Sequence, residues 1–457
     1  MNTRKLIVVG GGPVGLEVAL RASADGFDVT VLEKYRVGDA VRSWGHVRLF
    51  TPFEMNSSCQ GRAAVAAGRD LPRDDAILTG EDYVRRYLEP LAEFVRPHVS
   101  VLDQHEVVAV SRSTCSKSDL IGQKDRGATP FRILCRIHAD VPVRDNTAGP
   151  VVQTPDSVPE QSDSVPEQSD SVPEQSGGVA ECERLFEADV LVDCTGFISR
   201  HRFIGAGGIP CPGESTVLTD ADYRIPDIAG NERDRFAGSH TLVVGSGYSA
   251  ATSVCLLAEL QKSVPATRVT WITRGNRSAP LSLVEDDVLT QRSILTATAN
   301  RLALQTDSCV EWLAGPMIDR LNRTAARIRA ELTWPEDCTA AQRNRGQVVV
   351  DRIVANAGFR PNTDVFRELQ IHRCYATDGP IKLAAHLLGE SSGDCLQQSV
   401  GGLQLLLNPE PNFFILGAAS YGRDSRFLLQ NGLKQIGALF DHIALTDQIA
   451  ETGGVVL

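Results

Sequence analysis

The first apolar run of the chain, Leu6-Ile7-Val8-Val9, is short and stops at Gly10-Gly11-Gly12. Pro13–Ala24 follows with a helical alternation of apolar and polar positions, and a second apolar-rich run, Asp28–Leu32, ends at Glu33. The same plan of strand, glycine turn, helix and strand recurs at Thr241–Val244, Tyr248–Leu260 and Arg268–Ile272. Short apolar strands alternating with helical stretches predict a parallel sheet covered on both faces. The fold class expected is therefore α/β, with two Rossmann-like units.

Between the two units lies a segment of different character. Ser157–Asp163, Ser164–Asp170 and Ser171–Gly177 are near-identical heptads, SVPEQSD, SVPEQSD and SVPEQSG. A seven-residue period is also the period of a coiled coil. A proline in every copy breaks helices, however, and one apolar residue per copy cannot fill a seam. Residues 140–181 are therefore expected to be a disordered insertion at a loop tip, with a partner-binding tail as the alternative.

With 457 residues and 42% hydrophobic positions, the chain is long enough for two or three domains with sizeable cores. A formal net charge of −11 argues against a nucleic-acid or anionic-membrane partner. The eleven cysteines are scattered, the closest in sequence being Cys182 and Cys194, and no Cys-x-x-Cys occurs. That spacing supports neither a zinc ribbon nor a redox dithiol, so no metal is expected, and most thiols read as small buried groups in a reducing compartment. No apolar run approaches the roughly 18–20 residues of a membrane span. Arg4-Lys5 before the first apolar run resembles the start of a signal peptide, but the run is too short and ends in glycines without a cleavage-like site. The expected location is cytoplasmic.

Gly10-Gly11-Gly12-Pro13-Val14-Gly15 fits G-x-G-x-x-G. In a chain with 39 glycines this pattern arises by accident about 0.3 times, so its context between strand and helix carries the weight. Gly10 permits the tight turn, Gly12 a close approach to a diphosphate, and Gly15 close packing of helix on strand. Pro13 opens the helix, whose free N–H groups and positive dipole end then face the phosphates. Glu33, closing the second strand, is placed to accept hydrogen bonds from ribose hydroxyls, with Lys34 beside it. A dinucleotide such as FAD is the expected ligand of this corner.

Gly245-Ser246-Gly247-Tyr248-Ser249-Ala250 has the same form, with Ala250 in the third place and Ser249 at the head of the helix. Its second strand ends at Arg274 rather than at a carboxylate. A carboxylate would repel a 2′-phosphate, whereas an arginine binds one, which favours NADPH over NADH. The plainer alternative for Arg274 is a solvated surface charge. Two such sites on one chain suit hydride delivery from a nicotinamide to a flavin.

These residues resemble the two-dinucleotide-binding-domain flavoproteins, which include flavin-containing monooxygenases, N-hydroxylases and pyridine-nucleotide disulfide reductases. Two further segments carry the resemblance. Ala188–Phe197, with Cys194-Thr195-Gly196, looks like the strand that ends in the family's A-T-G turn, with Cys replacing Ala. Asp351–Asn362, with Gly358, looks like the second such turn. Phe413–Ala418 sits where the family has a strand ending in Gly-Asp; Gly417 matches, but Ala418 replaces the aspartate that contacts the flavin's sugar-alcohol chain. The stretch from Arg423 to Gly432 then supplies the helix facing the flavin.

The resemblance implies a FAD domain in two pieces, 1–228 and 363–457, with an NADPH domain, 229–362, inserted between them. It also places Arg42-Ser43-Trp44-Gly45-His46 near the flavin ring. Trp44 would cover the ring and His46 would move protons near neutral pH, the alternative for both being core packing. The disulfide-reductase branch needs two close cysteines, which the spacing does not offer. The activity expected is electron flow from NADPH through FAD to dioxygen and a small-molecule substrate, as in monooxygenases. Reduction of a quinone or another small acceptor is the alternative, and a non-catalytic FAD-binding redox sensor is a third reading.

Overall fold

A computed structural model describes residues 3–138, 182–275, 277–390, 396 and 402–452. The heptads and the rest of 140–181 lie outside the described residues.

The first unit contains β1 (Lys5–Val9), β2 (Asp28–Leu32), β3 (Ser100–Leu102), β4 (His105–Arg112), β5 (Phe131–Ile137), β6 (Cys182–Ala188) and β7 (Val190–Asp193). The hinge strand β8 (Arg200–His201) leaves it. The second unit holds β9 (His240–Val244), β10 (Arg268–Thr273), β11 (Val310–Ala314), β12 (Met317–Thr324), β13 (Arg327–Thr333), β14 (Gln347–Val350) and β15 (Arg352–Ala355). The chain returns through β16 (Phe359–Arg360), and β17 (Phe413–Ile415) rejoins the first sheet.

That first sheet is parallel, in the order β17-β7-β1-β2-β3. Alternation along β1 decides how its two faces are covered. Leu6 and Val8 point into a core shared with the helix Pro13–Ala24, Tyr87, Leu439 and Phe440. Ile7 and Val9 point the other way, onto Val107, Phe131, Ile133 and Phe413. The antiparallel sheet β4-β5-β6 therefore roofs one face while helices cover the other.

The second unit repeats the three layers. Its parallel sheet has the order β11-β10-β9-β15. Leu242, Val244 and Ile272 meet the antiparallel sheet β12-β13-β14 through Ile318, Ile328 and Val350. Val243, Val269 and Trp271 meet the helix Tyr248–Ser263 through Ala251, Val254 and Leu257. The two units are joined by a two-stranded antiparallel ribbon, β8 on β16, with Arg200 opposite Arg360 and His201 opposite Phe359.

Two details differ from the sequence expectation. The helix expected to end at Leu260 runs to Ser263 and stops just before Pro265, because a residue preceding proline is pushed out of the helical region; Val264 has φ −130° and ψ 85°. The stretch Ala188–Phe197, expected as one strand ending in a turn, starts in two strands of different sheets, divided at Asp189, whose carboxylate accepts the Lys5 N–H at 2.8 Å. No helix among the described residues is long and apolar enough to cross a membrane.

Candidate functional site

The first corner is built by backbone crowding. Gly10 sits at φ +104°, and a Cβ there would stand 2.7 Å from the Cys194 carbonyl oxygen. At Gly15 a Cβ would lie 1.9 Å from the Gly10 carbonyl oxygen, so only glycine lets the helix come this close to the turn. Gly12, by contrast, has nothing within 4 Å of its Cβ position. With Pro13 opening the helix behind it, Gly12 forms an open cradle of backbone at a helix N-terminus, where a diphosphate fits.

Three distant segments close around this corner. The Cys194 N–H donates to the Val9 carbonyl (2.9 Å), while Thr195 donates through its N–H and hydroxyl to Asp193 Oδ1 (3.0 and 2.7 Å). Gly196, at φ +69°, faces open space. Gly417 packs on Val14, its Cβ position 3.0 Å from Val14 Cγ2, and its N–H donates to Gln435 Oε1 (2.8 Å).

Glu33 ends β2 with its carboxylate turned back to the turn. It accepts the N–H of Gly11 (2.6 Å) and of Tyr35 (3.1 Å). Desolvation outweighs these bonds and, with the nearby Asp39 and Asp103 charges, pushes its pKa up to about 7. A folded-state pKa above the ordinary 4.5 means that its stabilising contribution is present in acid and lost as pH rises through about 7. Ribose hydroxyls donating to this carboxylate favour the ionised form. The affinity of the empty protein for FAD is therefore expected to rise with pH through about 7, and Glu33→Gln to flatten that rise. Flavin-fluorescence titrations between about pH 5 and about pH 9 measure it; an unchanged slope in the variant contradicts the assignment.

Lys34 turns away, to Glu106 Oε1 at 2.7 Å, and Glu106 also binds His138 Nε2 at 2.9 Å. Arg42 is held by Glu89 (2.6 Å) and Glu81 (3.3 Å). Trp44 lies against Gly80, where a Cβ would be 2.9 Å from its ring. His46 reaches the connector between the units: it bonds the Pro226 backbone, faces Asp227 and Glu232, and leaves Nε2 buried without a partner among the described residues. Burial holds its pKa below the ordinary value despite those carboxylates, so the ring is neutral at physiological pH.

The second corner repeats the first. Gly245 has φ +149°, and a Cβ would stand 2.2 Å from the Asn356 carbonyl oxygen and 3.2 Å from Ala250 Cβ. Gly247 is open, with nothing within 4 Å. Ser249 is exposed in the first turn of the helix, and Ser246 Oγ accepts the Arg274 N–H at 3.0 Å, fixing the end of β10 against the turn. The Arg274 side chain is exposed. Gly358, at φ +91°, follows Asn356 in the closing turn.

Phe50 and Tyr248 were not anticipated as a pair. Phe50 follows His46 on the first unit, Tyr248 starts the helix of the second corner, and their rings meet edge to face at 5.4 Å. Nothing local in the sequence marks Phe50 as an interdomain residue. Cys194 beside the first corner is partly buried, and desolvation raises its thiol pKa well above the ordinary value and keeps it protonated. The described cysteines are all free thiols.

Residues 7–126 match the profile of the family described as pyridine nucleotide-disulphide oxidoreductase. No curated protein sequence matches the chain. Among solved structures, the chain is similar to the bacillithiol disulfide reductase of Bacillus cereus, with 15% identity, a TM-score of 0.60, and coverage of 97% of this chain and 100% of that one. It is similar to the cadaverine monooxygenase of desferrioxamine biosynthesis from Erwinia amylovora, solved with FAD bound, at 12% identity, a TM-score of 0.57 and coverage of 96% and 94%. A flavin monooxygenase from Stenotrophomonas maltophilia is similar at 18% identity, with a TM-score of 0.53 and coverage of 98% and 100%. At these identities the likeness shows a shared fold, and that fold serves both disulfide reductases and monooxygenases.

Proposed function

We propose that this chain, which has the fold of the two-dinucleotide-binding-domain flavoproteins, is a FAD-dependent oxidoreductase that takes hydride from NADPH. The observation that carries the reading is the pair of open glycine cradles, Gly12 and Gly247, each at a strand-to-helix corner of its own parallel sheet. FAD fits the first corner, with Gly10, Gly12 and Gly15 at the diphosphate, Glu33 at the ribose, and Thr195, Gly196 and Gly417 closing around the turn. NADPH fits the second, with Gly245, Gly247, Ser249 and Ala250 at the diphosphate and Arg274 at the 2′-phosphate. A bound flavin accepts hydride from a nicotinamide and passes electrons to an acceptor.

The chain's own residues position, exclude water and hold charge. Phe50 against Tyr248 sets an aromatic side chain of the first unit on the helix of the second corner. Neutral His46, against the connector at Pro226, is the group offered as proton acceptor. The acceptor we favour is dioxygen together with a small-molecule substrate, as in the monooxygenases of this fold. The protonated Cys194 weighs against a thiol acting at the first corner.

The assignment of Arg274 gives the test. Loss of a charge-assisted contact to a phosphate is expected to weaken NADPH binding by about ten- to a hundred-fold in Arg274→Ala and to leave NADH unchanged. Anaerobic flavin reduction at varied NADPH and NADH concentrations measures this. An undiminished preference for NADPH in the variant overturns the assignment.

A further inference from the structure

The ribbon joining the two units has two unlike faces. In its register, Arg200 stands opposite Arg360 and His201 opposite Phe359, and the Arg202 N–H donates to the Gly358 carbonyl at 2.9 Å. Side chains alternate along such a ribbon, so Arg200, Arg202 and Arg360 share one face. His201 occupies the other, stacked on Tyr223 with ring centroids 3.6 Å apart. Gly358 lies across from the arginine, its Cβ position in ordinary contact at 3.8 Å from Arg202 Cδ, and its φ of +91° is what calls for glycine there.

Arg200 is neutralised by Asp364 at 2.9 Å. Arg202, partly buried, has no side-chain hydrogen bond or ion pair among the described residues. Its surroundings do not compensate. The contacts run from Arg202 to Gly358, through Asn356 to Gly245, and on by Ser246 to Arg274. On the other side Arg423, predicted from the sequence to face the flavin, binds Asp378 at 2.5 Å and donates its N–H to the Thr377 carbonyl at 2.7 Å. Burial, and then the charges of Arg274 and Arg423, hold the Arg202 guanidinium below its ordinary pKa, and only Asp378 acts against them. In a chain with a formal net charge of −11, the unpaired Arg202 and the exposed Arg274 stand out as cations, whereas Arg423 is met by Asp378. A buried cation without a partner is unfavourable unless something anionic completes it.

We propose that Arg202, beside Gly358 on the ribbon that joins the two units, is an anion seat, and that it takes a phosphate or carboxylate of a ligand lying between the two units. The proposal rests on the two-corner reading but not on hydride transfer taking place there. Two sources share the chemistry: the diphosphate of the nicotinamide dinucleotide, and an acidic substrate. A planar guanidinium grips either through paired N–H groups.

The probes are inorganic pyrophosphate and citrate, added to the flavin-loaded full-length protein while thermal stability and binding heat are recorded. Wild type is expected to be stabilised by millimolar anion. Arg202→Gln is expected to melt at or above the wild-type temperature without anion, because a like-charge repulsion is removed, and to bind pyrophosphate about ten-fold or more weakly. Arg202→Lys, which keeps the charge but not the fork, is expected to fall between. Saturating NADPH separates the sources: if it abolishes the pyrophosphate effect, the seat serves the dinucleotide, and if the effect persists, it serves a second, acidic ligand. Equal anion binding by wild type and Arg202→Gln overturns the proposal. A wild type that binds pyrophosphate at Arg202, yet whose flavin NADPH does not reduce, overturns the oxidoreductase reading and leaves the seat standing.

Discussion

Gly12→Val is expected to yield a folded, colourless protein. At Gly12 the backbone is extended, φ −82° and ψ −171°, a conformation open to any residue, and a Cβ meets nothing within 4 Å. The empty fold should therefore accept valine at a cost of about 1 kcal/mol, that of a poor residue at the head of a helix. The added methyl groups project into the space that a diphosphate needs in order to reach the helix N–H groups. Affinity for FAD is expected to fall by about a hundred-fold or more, the effect of forcing bulk into a fitted contact. Flavin content after purification and a fluorescence titration of the empty protein measure it. Gly15→Val is the contrasting case: its Cβ would stand 1.9 Å from the Gly10 carbonyl oxygen, so the corner itself must break. A yellow Gly12→Val protein with ordinary FAD affinity would remove the first corner from the account.

The second large effect concerns the return of the chain to the first unit. Glu410, just ahead of β17, accepts hydrogen bonds from Arg112 Nε at 2.8 Å, Arg126 Nε at 3.0 Å and the Gln370 N–H at 2.7 Å. All three charged side chains are buried, with 0–1% exposure. Glu410→Ala strands two guanidiniums away from water, and breaking a buried pair in this way costs about 3–5 kcal/mol. Acid should act in the same direction. Burial pushes the Glu410 pKa up, but Arg126, the Gln370 amide and Arg112 outweigh it and hold the pKa below the ordinary range. Its stabilisation is therefore present at neutral pH and lost as pH falls through that depressed value. Urea unfolding of wild type and variant at neutral pH checks this, and a loss under about 1 kcal/mol contradicts it.

Both corners were legible in the sequence because strand, turn and helix follow one another within about twenty residues, although Gly10 and Gly245 also answer the distant carbonyls of Cys194 and Asn356. Gly10 and Gly15 are explained by each other and by Cys194, which the family resemblance had marked only as part of a turn of its own. The extent of elements was less legible. Gln261 and Lys262 carry no apolar signal, so the second corner's helix looked finished at Leu260, although only Pro265 stops it. Contacts between segments far apart in the chain were not legible at all. Nothing near Phe50 announces Tyr248, and nothing near Arg202 announces Arg274 or Arg423, since the fold rather than the local pattern joins them. Lys34 shows the converse. Its neighbour Glu33 turns toward the glycine corner, while Lys34 itself is taken by Glu106, 72 positions on, which only the strand arrangement reveals.

The central claim is that two dinucleotides bound at separate corners of one chain exchange hydride. It is tested most directly by mixing NADPH anaerobically with flavin-loaded wild type and Gly247→Val and following the flavin absorbance. Gly247 is extended, φ −112° and ψ 178°, and open, so valine fills the second cradle and leaves the first untouched. The expected result is rapid bleaching in wild type and a variant that keeps its flavin but stays yellow. Equal bleaching of the two proteins, or a wild type that stays oxidised under excess NADPH, would contradict the account.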